Sequence, residues 1–234
     1  MNPPKQSINF NQEAKTYDKK WIKLAAMKDA LHLFTRVIFS DLPKDAHILC
    51  VGVGTGDELL DMAQHNPNWQ FTAVDPSESM LNQCKQKADK LGITSRCTFH
   101  HGQLNTLPNK QKFNATTCFL VAHHIVDITQ RQALFDNIAT RLLPNGLLIN
   151  ADISGDITKP EYKELLNTWL LMYRYAGLSK SETKHIKTSL GTRVAILPPI
   201  KIEELIKNSG FDQTTLFFQS LLIHAWYSQM PLSK

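Results

Sequence analysis

Long apolar runs are absent from the sequence, which has no stretch near the length needed to span a bilayer. The residues before Thr16 are polar, with no apolar segment ahead of a small-residue cleavage site, so no secretory signal is expected. Internal repeats and low-complexity segments are also lacking. A single domain of 234 residues, cytoplasmic and without a membrane partner, is therefore predicted.

Cysteine is scarce, and its positions exclude the usual cysteine sites. The four cysteines are Cys50, Cys84, Cys97 and Cys118. They form no CxxC pair and have no metal-like spacing to the histidines, so neither a disulfide framework nor a metal site is predicted. We expect the thiols to be reduced and mostly buried.

Charge of one sign is never concentrated. The formal net charge is +5, which favours an anionic partner, but lysine and arginine form no run of five or more. We interpret the scattered charge as serving solubility. A nucleic acid such as tRNA remains a weaker alternative partner, and the oligomeric state stays open, with a homodimer among the alternatives.

From residue 46 onward, apolar segments of strand length alternate with segments of helical periodicity. This alternation is typical of βα units, so we predict an α/β Rossmann-like fold with helices on both faces of the sheet. The last two strands are joined by too few residues for a parallel crossover and should form an antiparallel hairpin. The seven predicted strands cover residues 47–51, 70–74, 96–100, 115–121, 147–151, 214–218 and 222–227.

Helix-end signals refine this prediction. Ser77 is suited to cap a helix that ends at Leu91 before Gly92, and Thr129 with Gln132 has the spacing of a capping box. The apolar stripe after that box comprises Leu134, Ile138 and Leu142.

The second half of the chain has mixed signals. Pro144–Asn145–Gly146 predicts a turn before the fifth strand, and an amphipathic pattern predicts a long helix from about Tyr162 to Gly177. Within that pattern we expect Trp169 and Tyr173 to be core residues. The pattern is poor from residue 179 to 199, and a short helix is predicted at 201–209.

Four parts are expected within the single domain. Residues 1–45 form a helical cap that includes Tyr17, Trp21, Leu24 and Leu31, and residues 46–152 form the cofactor-binding core. Residues 153–200 are predicted to be an insertion that shapes the acceptor side, since inserted segments after strand ends often line a ligand crevice. Residues 201–234 complete the sheet with a helix and the hairpin.

The strongest motif is the GxGxG segment Gly52–Val53–Gly54–Thr55–Gly56, which follows an apolar strand and precedes a helix. Glycine permits a tight turn and lets a ligand approach the main chain. Dinucleotide-binding proteins share this pattern, but their third small residue lies where this chain has Asp57. A carboxylate at the helix start opposes a pyrophosphate, so a dinucleotide oxidoreductase is the least favoured interpretation. A sulfonium cofactor without phosphate avoids that conflict.

Asp75 follows Gly56 by 75 − 56 = 19 residues, at the carboxyl end of the next predicted strand. An acid there accepts hydrogen bonds from ribose hydroxyls in nucleoside-binding folds. The alternative is a turn residue before Pro76. Together with the glycines, the ribose role is favoured.

With these motifs the sequence resembles the class I S-adenosylmethionine-dependent methyltransferases, from about residue 10 to 227. The resemblance implies S-adenosyl-L-methionine as the cofactor, S-adenosyl-L-homocysteine as the product and a Leu-x-Pro-Gly-Gly-like turn at 142–146. The cofactor-binding residues that it implies are Val51, Gly52, Gly54, Gly56, Asp75, Pro76, Met80, Gln103, Leu104 and Val121, to which we add Tyr17.

Two positions depart from the family pattern. Cys50 stands where the family usually has an acid that helps hold the cofactor's amino group, and Gln103 replaces a common aspartate. Within the class, residues 131–136, 209–211 and 216–219 look most similar to the carboxy-S-adenosylmethionine synthases, which act in tRNA modification. That group is thought to bind the extra carboxylate through an arginine, where this chain has Leu205. The missing cation favours the ordinary cofactor.

His123 and His124 are the candidate catalytic residues. They follow the fourth predicted strand, beside the methyl-bearing part of the cofactor in the resembled family, and imidazole titrates near neutral pH. A capping or packing role is the alternative, and at most one of them should face the crevice. Asp152, at the end of the fifth strand, is either an acceptor contact or a turn residue.

The sequence leaves three hypotheses for the function. The leading hypothesis is methyl transfer to a small-molecule acceptor, because no RNA-binding module is appended. A tRNA-modification-related enzyme that uses or makes carboxy-S-adenosylmethionine is the second. A cofactor-binding protein without turnover, suggested by Cys50 and Gln103, is the third.

Overall fold

A computed structural model describes residues 22–232 together with Asn11, Ala14 and Asp18. Its centre is one sheet of seven strands in the order β3-β2-β1-β4-β5-β7-β6. The first five are parallel, and β7 pairs antiparallel with both β5 and β6. The predicted fold class is thus confirmed. The strands are β1 His47–Val51, β2 Gln70–Asp75, β3 Cys97–His101, β4 Phe113–Phe119, β5 Leu142–Ile153, β6 Thr214–Ser220 and β7 Ile223–Gln229.

The predicted turn at Pro144–Gly146 is wrong. Strand β5 already begins at Leu142, opposite Phe113, and the pairing resumes with Leu147 opposite Ala115. The extra residues on β5 form a bulge, in which Asn145 has a φ of +61°. Proline and glycine therefore mark an irregularity inside the strand.

Seven helices flank this sheet in the described part of the chain. Ser77 accepts a hydrogen bond from the Met80 amide and caps α3 as predicted, and Gly92 follows its end with a φ of +68°. Asp127, and not Thr129, caps α4. Phe135 and the predicted Ile138 are buried on this helix, and the predicted Leu134 is half-buried against the same cluster. The helices are α1 Ala25–Ile38, α2 Asp57–His65, α3 Glu78–Lys90, α4 Ile128–Ala139, α5 Pro160–Ala176, α6 Lys180–Ser189 and α7 Pro199–Asn208.

Helix α6 occupies the region in which the sequence pattern is poor. A capping box starts it, because the Ser179 hydroxyl accepts from the Glu182 amide and the Glu182 carboxylate accepts from the Ser179 amide. The preceding helix, α5, ends at Gly177 as predicted, with a φ of +110°.

Apolar clusters cover both faces of the sheet. One face packs against α2 and α3 through residues such as Leu59 and Cys84, and the other against α4 and α7 through Phe135 and Ile206. Trp169 and Tyr173 of α5 are buried in a third cluster, so the core assignment for both is confirmed.

The prediction that the cysteines are mostly buried is also confirmed. All four thiols are free, and Cys97 alone is not fully buried. Among the described residues, no helix is both long and apolar enough to cross a membrane.

Candidate cofactor site

The GxGxG segment lies at the carboxyl edge of the sheet, directly after β1. Strand β1 pairs with β2 on one side and with β4 on the other, although β3 precedes β4 in the chain. The chain therefore reverses direction across the sheet at β1, and in open α/β sheets such a switch point forms the ligand-binding crevice. The glycine loop that the sequence predicts lies at this switch point.

Glycine is required at two positions of the loop. Gly52 has a φ of +63°, and a Cβ there would lie 2.3 Å from Cγ2 of Val121. Gly56 has a φ of +89°, and a Cβ would lie 2.4 Å from Sγ of Cys84. The backbone conformation and the close packing both exclude a larger residue. Val121, a predicted cofactor residue, thus packs directly on the loop.

Asp75 fixes the loop to the end of β2. Its Oδ2 accepts a hydrogen bond of 2.8 Å from the Gly54 amide, and its Oδ1 accepts one of 2.8 Å from the Ser77 amide. Burial raises the pKa of Asp75, while these two bonds oppose the rise. A carboxylate has about four acceptor sites. Two amide bonds therefore leave acceptor capacity for ribose hydroxyls.

Asp57, at the start of α2, is not an isolated negative charge. It accepts hydrogen bonds from Lys28 at 2.5 Å and from Lys87 at 2.9 Å. Burial alone would raise the pKa of Asp57, but the two lysines hold it below its usual value. Because these cations offset the carboxylate, Asp57 opposes a bound anion less than the sequence suggests.

Described residues of the N-terminal segment touch both sides of the loop region. Asp18 accepts a hydrogen bond of 2.7 Å from the Thr55 hydroxyl and pairs with Lys87 at 2.7 Å. Asn11 accepts bonds from the Ser77 hydroxyl and, at 3.1 Å, from the Ser79 amide. Asp18 and Asn11 thus contact residues that follow β1 and β2, respectively.

The remaining predicted cofactor residues differ in their surroundings. Val51, Met80 and Leu104 are buried, and Leu104 belongs to the apolar cluster on the α4 side. Pro76 and Gln103 are exposed near the ends of β2 and β3. Tyr17 lies outside the described residues, as does Trp21.

His123 belongs to a buried polar cluster behind the crevice. Its Nδ1 lies 2.6 Å from Oδ1 of Asp152, which also accepts a hydrogen bond from the His123 amide at 3.0 Å. The other carboxylate oxygen accepts from the Arg131 guanidinium, and both of these side chains are almost fully buried. Burial acts to raise the pKa of Asp152, yet His123 and Arg131 hold it below its usual value. Asp152 is therefore a buried carboxylate that both His123 and Arg131 contact.

His124 is the less buried of the two histidines. Its ring lies 4.2 Å from that of His123, measured between centroids. Burial and the neighbouring His123 lower the pKa of His124 to about 3. The imidazole is consequently neutral at physiological pH. It is suited to hydrogen bonding more than to accepting a proton.

Two residues of this region were not predicted. Arg131 lies on the same helical face as Phe135 and Ile138, all of them buried. A cation on an apolar stripe indicates a buried anionic partner, so this signal was present in the sequence. Glu58, at the second position of α2, is likewise buried. No comparable sequence signal marks it, because acids are common in the first turn of helices.

Residues 48–146 match the family model described as a methyltransferase domain. They contain the glycine loop, Asp75 and both histidines. This part of the chain is therefore similar to methyltransferase domains. Within this part, the family resemblance of the glycine loop is confirmed.

Proteins similar to this chain carry different names. An uncharacterized protein from Synechococcus is 28% identical over 121 residues, which are 50% of this chain and 28% of that protein. A carboxy-S-adenosyl-L-methionine synthase from Colwellia psychrerythraea is 26% identical over 179 residues, covering 75% of this chain and 72% of the relative.

A solved structure from Nostoc punctiforme, described as an O-methyltransferase, superposes with a TM-score of 0.68 at 18% identity. The match covers 94% of this chain and 59% of that protein. At this identity the likeness shows a shared fold alone and does not specify a substrate.

Proposed function

We propose that this chain binds S-adenosyl-L-methionine and transfers its methyl group to a small-molecule acceptor. The observation that carries the proposal is the bond between Asp75 and the Gly54 amide, which joins the glycine loop to the end of β2. This arrangement provides a bare backbone surface for the amino acid part of the cofactor and a buried acid for its ribose.

The chemistry requires positioning more than covalent catalysis. A sulfonium activates its methyl group, so alignment of the acceptor in line with the C–S bond supplies much of the acceleration. The segment after β5 supports a small acceptor, since α5 and α6 pack into one apolar cluster beside the sheet. Residues 153–200 are proposed to form the wall of the acceptor pocket.

The two histidines have different proposed roles. His123 is bound to Asp152 and is proposed to position the short turn Ala122–His124. His124 is proposed to accept a hydrogen bond from the acceptor as a neutral imidazole. With a pKa of about 3, it is too weak a base to remove a proton from most acceptors.

The ordinary cofactor is favoured over the carboxylated one. Leu205 is buried in the apolar cluster between α4 and α7, and its carbonyl oxygen accepts a hydrogen bond from Gln132. No positive charge is therefore offered at this position to a second carboxylate. The relative named carboxy-S-adenosyl-L-methionine synthase keeps the carboxylated cofactor as the second candidate.

Calorimetry with S-adenosylhomocysteine and mass spectrometry of any co-purified nucleoside test the proposal. Micromolar binding and an ordinary cofactor mass are expected. Absence of binding would overturn the proposal, and a carboxylated ligand would favour the second candidate. If the cofactor binds but a broad panel of small acceptors yields no methylated product, a binding protein without turnover becomes the better description.

Substitution of Asp75 with alanine is expected to weaken S-adenosylhomocysteine binding by about tenfold to a hundredfold. The variant loses the ribose acceptor and the anchor of the Gly54 amide, and hydrogen bonds to charged groups are worth about 1.5–3 kcal/mol each. Calorimetry measures the loss, with Asp89→Ala on the exposed side of α3 as a control. Equal affinities for Asp75→Ala and wild type would remove Asp75 from the site.

His124 is expected to show no titration between pH 5 and pH 8. Because its pKa is lowered to about 3, the ring is already neutral throughout this range. An NMR pH titration of the imidazole Cε1–H signals tests this, and the signal missing from a His124→Gln variant gives the assignment. A chemical-shift change centred near pH 6.5 would show that His124 is an ordinary titrating base.

A further inference from the structure

Glu58 is a buried acid that follows the glycine loop by two residues. It is the second residue of α2, which begins immediately after Gly56, and the residue is 8% exposed. Burial of a carboxyl group is costly unless a partner stabilises it. Within the described chain, no ion pair compensates Glu58.

The groups around Glu58 are mostly acidic or neutral. Lys87 is the one cation among its described electrostatic neighbours, and that ammonium group is bound to Asp18 at 2.7 Å and to Asp57 at 2.9 Å. The titratable neighbours are Cys50 of β1, Asp75 of β2, Cys84 and Lys87 of α3, Cys118 of β4 and Asp57 of α2 itself. Among the described residues around Glu58, no cation therefore pairs with Glu58 itself.

The position of Glu58 relates it to the unusual residue at the end of β1. Cys50 is fully buried, and the negative charge of Glu58 contributes to raising the pKa of its thiol, so the two side chains are electrostatically coupled. Cys50 stands where an acid was expected from the family resemblance. A buried acid from α2 thus interacts electrostatically with the position where an acid from β1 is missing.

We propose that Glu58 supplies the carboxylate that pairs with the ammonium group of the cofactor's amino acid part. This inference rests on the proposed function, because S-adenosylmethionine brings the cation. The carboxylate and the loop amides would then hold opposite ends of one amino acid zwitterion. A buried charge pair of this kind is strong when its geometry is complete.

Cofactor binding would then be coupled to loss of a proton from Glu58. Burial raises the pKa of Glu58 to about 8, so the free protein holds this group largely protonated at pH 7. An ammonium group favours the ionised form, and the affinity should increase by up to about tenfold per pH unit from pH 6. The increase should end near pH 8, where an α-amino group itself loses its proton.

The test compares two ligands on wild type, Glu58→Gln and Glu161→Gln. S-adenosylhomocysteine has the amino acid part, whereas 5′-methylthioadenosine lacks it. At pH 7.5 Glu58→Gln should bind S-adenosylhomocysteine about tenfold more weakly and methylthioadenosine as well as wild type does. Glu161→Gln, an exposed first-turn acid of α5, should match wild type with both ligands.

The outcomes separate this inference from the function that it assumes. If wild type binds neither ligand, the proposed function fails. If wild type binds both but Glu58→Gln binds S-adenosylhomocysteine normally, or loses both ligands equally, the role of Glu58 is refuted while the function stands.

Proton release provides a second readout. Calorimetry at pH 6.5 in two buffers of different ionisation enthalpy counts the protons exchanged on binding. Close to one proton should be released by wild type and none by Glu58→Gln. Equal proton counts in the two proteins would overturn the inference.

Discussion

Replacing Asp152 with asparagine is expected to lower the free energy of unfolding by about 3–5 kcal/mol. The substitution keeps the shape of the side chain but removes the charge that faces the buried Arg131 guanidinium. It also removes the anionic acceptor of the His123 ring. The uncompensated Arg131 cation in the core makes the largest single contribution to this loss. Because globular domains are stabilised by only about 5–15 kcal/mol, the loss is a large fraction of the total stability.

Urea denaturation of both variants and wild type measures this effect. The matched control is Asp61→Asn, which breaks the ion pair with Arg36 on the outer side of α2, where both side chains are about a quarter exposed or less. That pair should contribute no more than about 1 kcal/mol. A loss for Asp152→Asn as small as the control's would show that Arg131 does not depend on this carboxylate.

A double variant separates charge from packing. Adding Arg131→Met to Asp152→Asn removes the buried cation, so part of the lost stability should return. If the double variant is less stable than Asp152→Asn, the contacts of the arginine stem and its bond to the Ala195 carbonyl outweigh the charge.

Local signals in the sequence predicted much of the sheet. The strand before Gly52 has the predicted bounds because an apolar run ends at an obligatory glycine turn. The hairpin follows from the short connection between β6 and β7. The bulge in β5 was not predicted, because Pro144 and Gly146 have the composition of a turn and only the pairing with β4 distinguishes the two.

Helix α6 shows a second limit of prediction from hydrophobic patterns. Its sequence has almost no apolar periodicity, and one residue of it, Thr183, is buried. The spacing of Ser179 and Glu182, which suits a capping box, is the sequence signal for this helix. Capping chemistry therefore located this helix better than hydrophobic pattern.

The candidate site was predictable in its position but not in its contacts. The glycines and Asp75 were expected at one edge of the sheet, because parallel strands end together there. The bond from the Gly54 amide to Asp75 and the pairing of Asp152 with Arg131 depend on how loops and helices pack, which sequence spacing does not specify. Asp57 illustrates the difference, since its two lysine partners come from α1 and α3.

Gly52→Ala is expected to disturb both stability and cofactor binding. The new Cβ would overlap Cγ2 of Val121 at 2.3 Å, and a φ of +63° disfavours alanine. The loop has little freedom to move, because the Gly52 amide donates a bond of 2.8 Å to the Val74 carbonyl. Overpacking and backbone strain together should cost about 2–4 kcal/mol. S-adenosylhomocysteine binding should weaken at least about tenfold as the loop shifts.

Two further variants divide this loss into its causes. Gly92→Ala has a nearly equal φ of +68° but no atom within 4 Å of the added Cβ, so it should cost only about 1 kcal/mol and leave binding unchanged. Val121→Ala in the Gly52→Ala background removes the overlapping Cγ atoms and should restore part of the stability, whereas binding recovers only if the loop returns to its position. Urea denaturation measures the change in stability and calorimetry the change in binding. Both are applied to wild type, Gly52→Ala, Gly92→Ala and the double variant. If Val121→Ala gives no recovery of stability, the strain of the backbone and not the contact with Val121 explains why residue 52 is glycine.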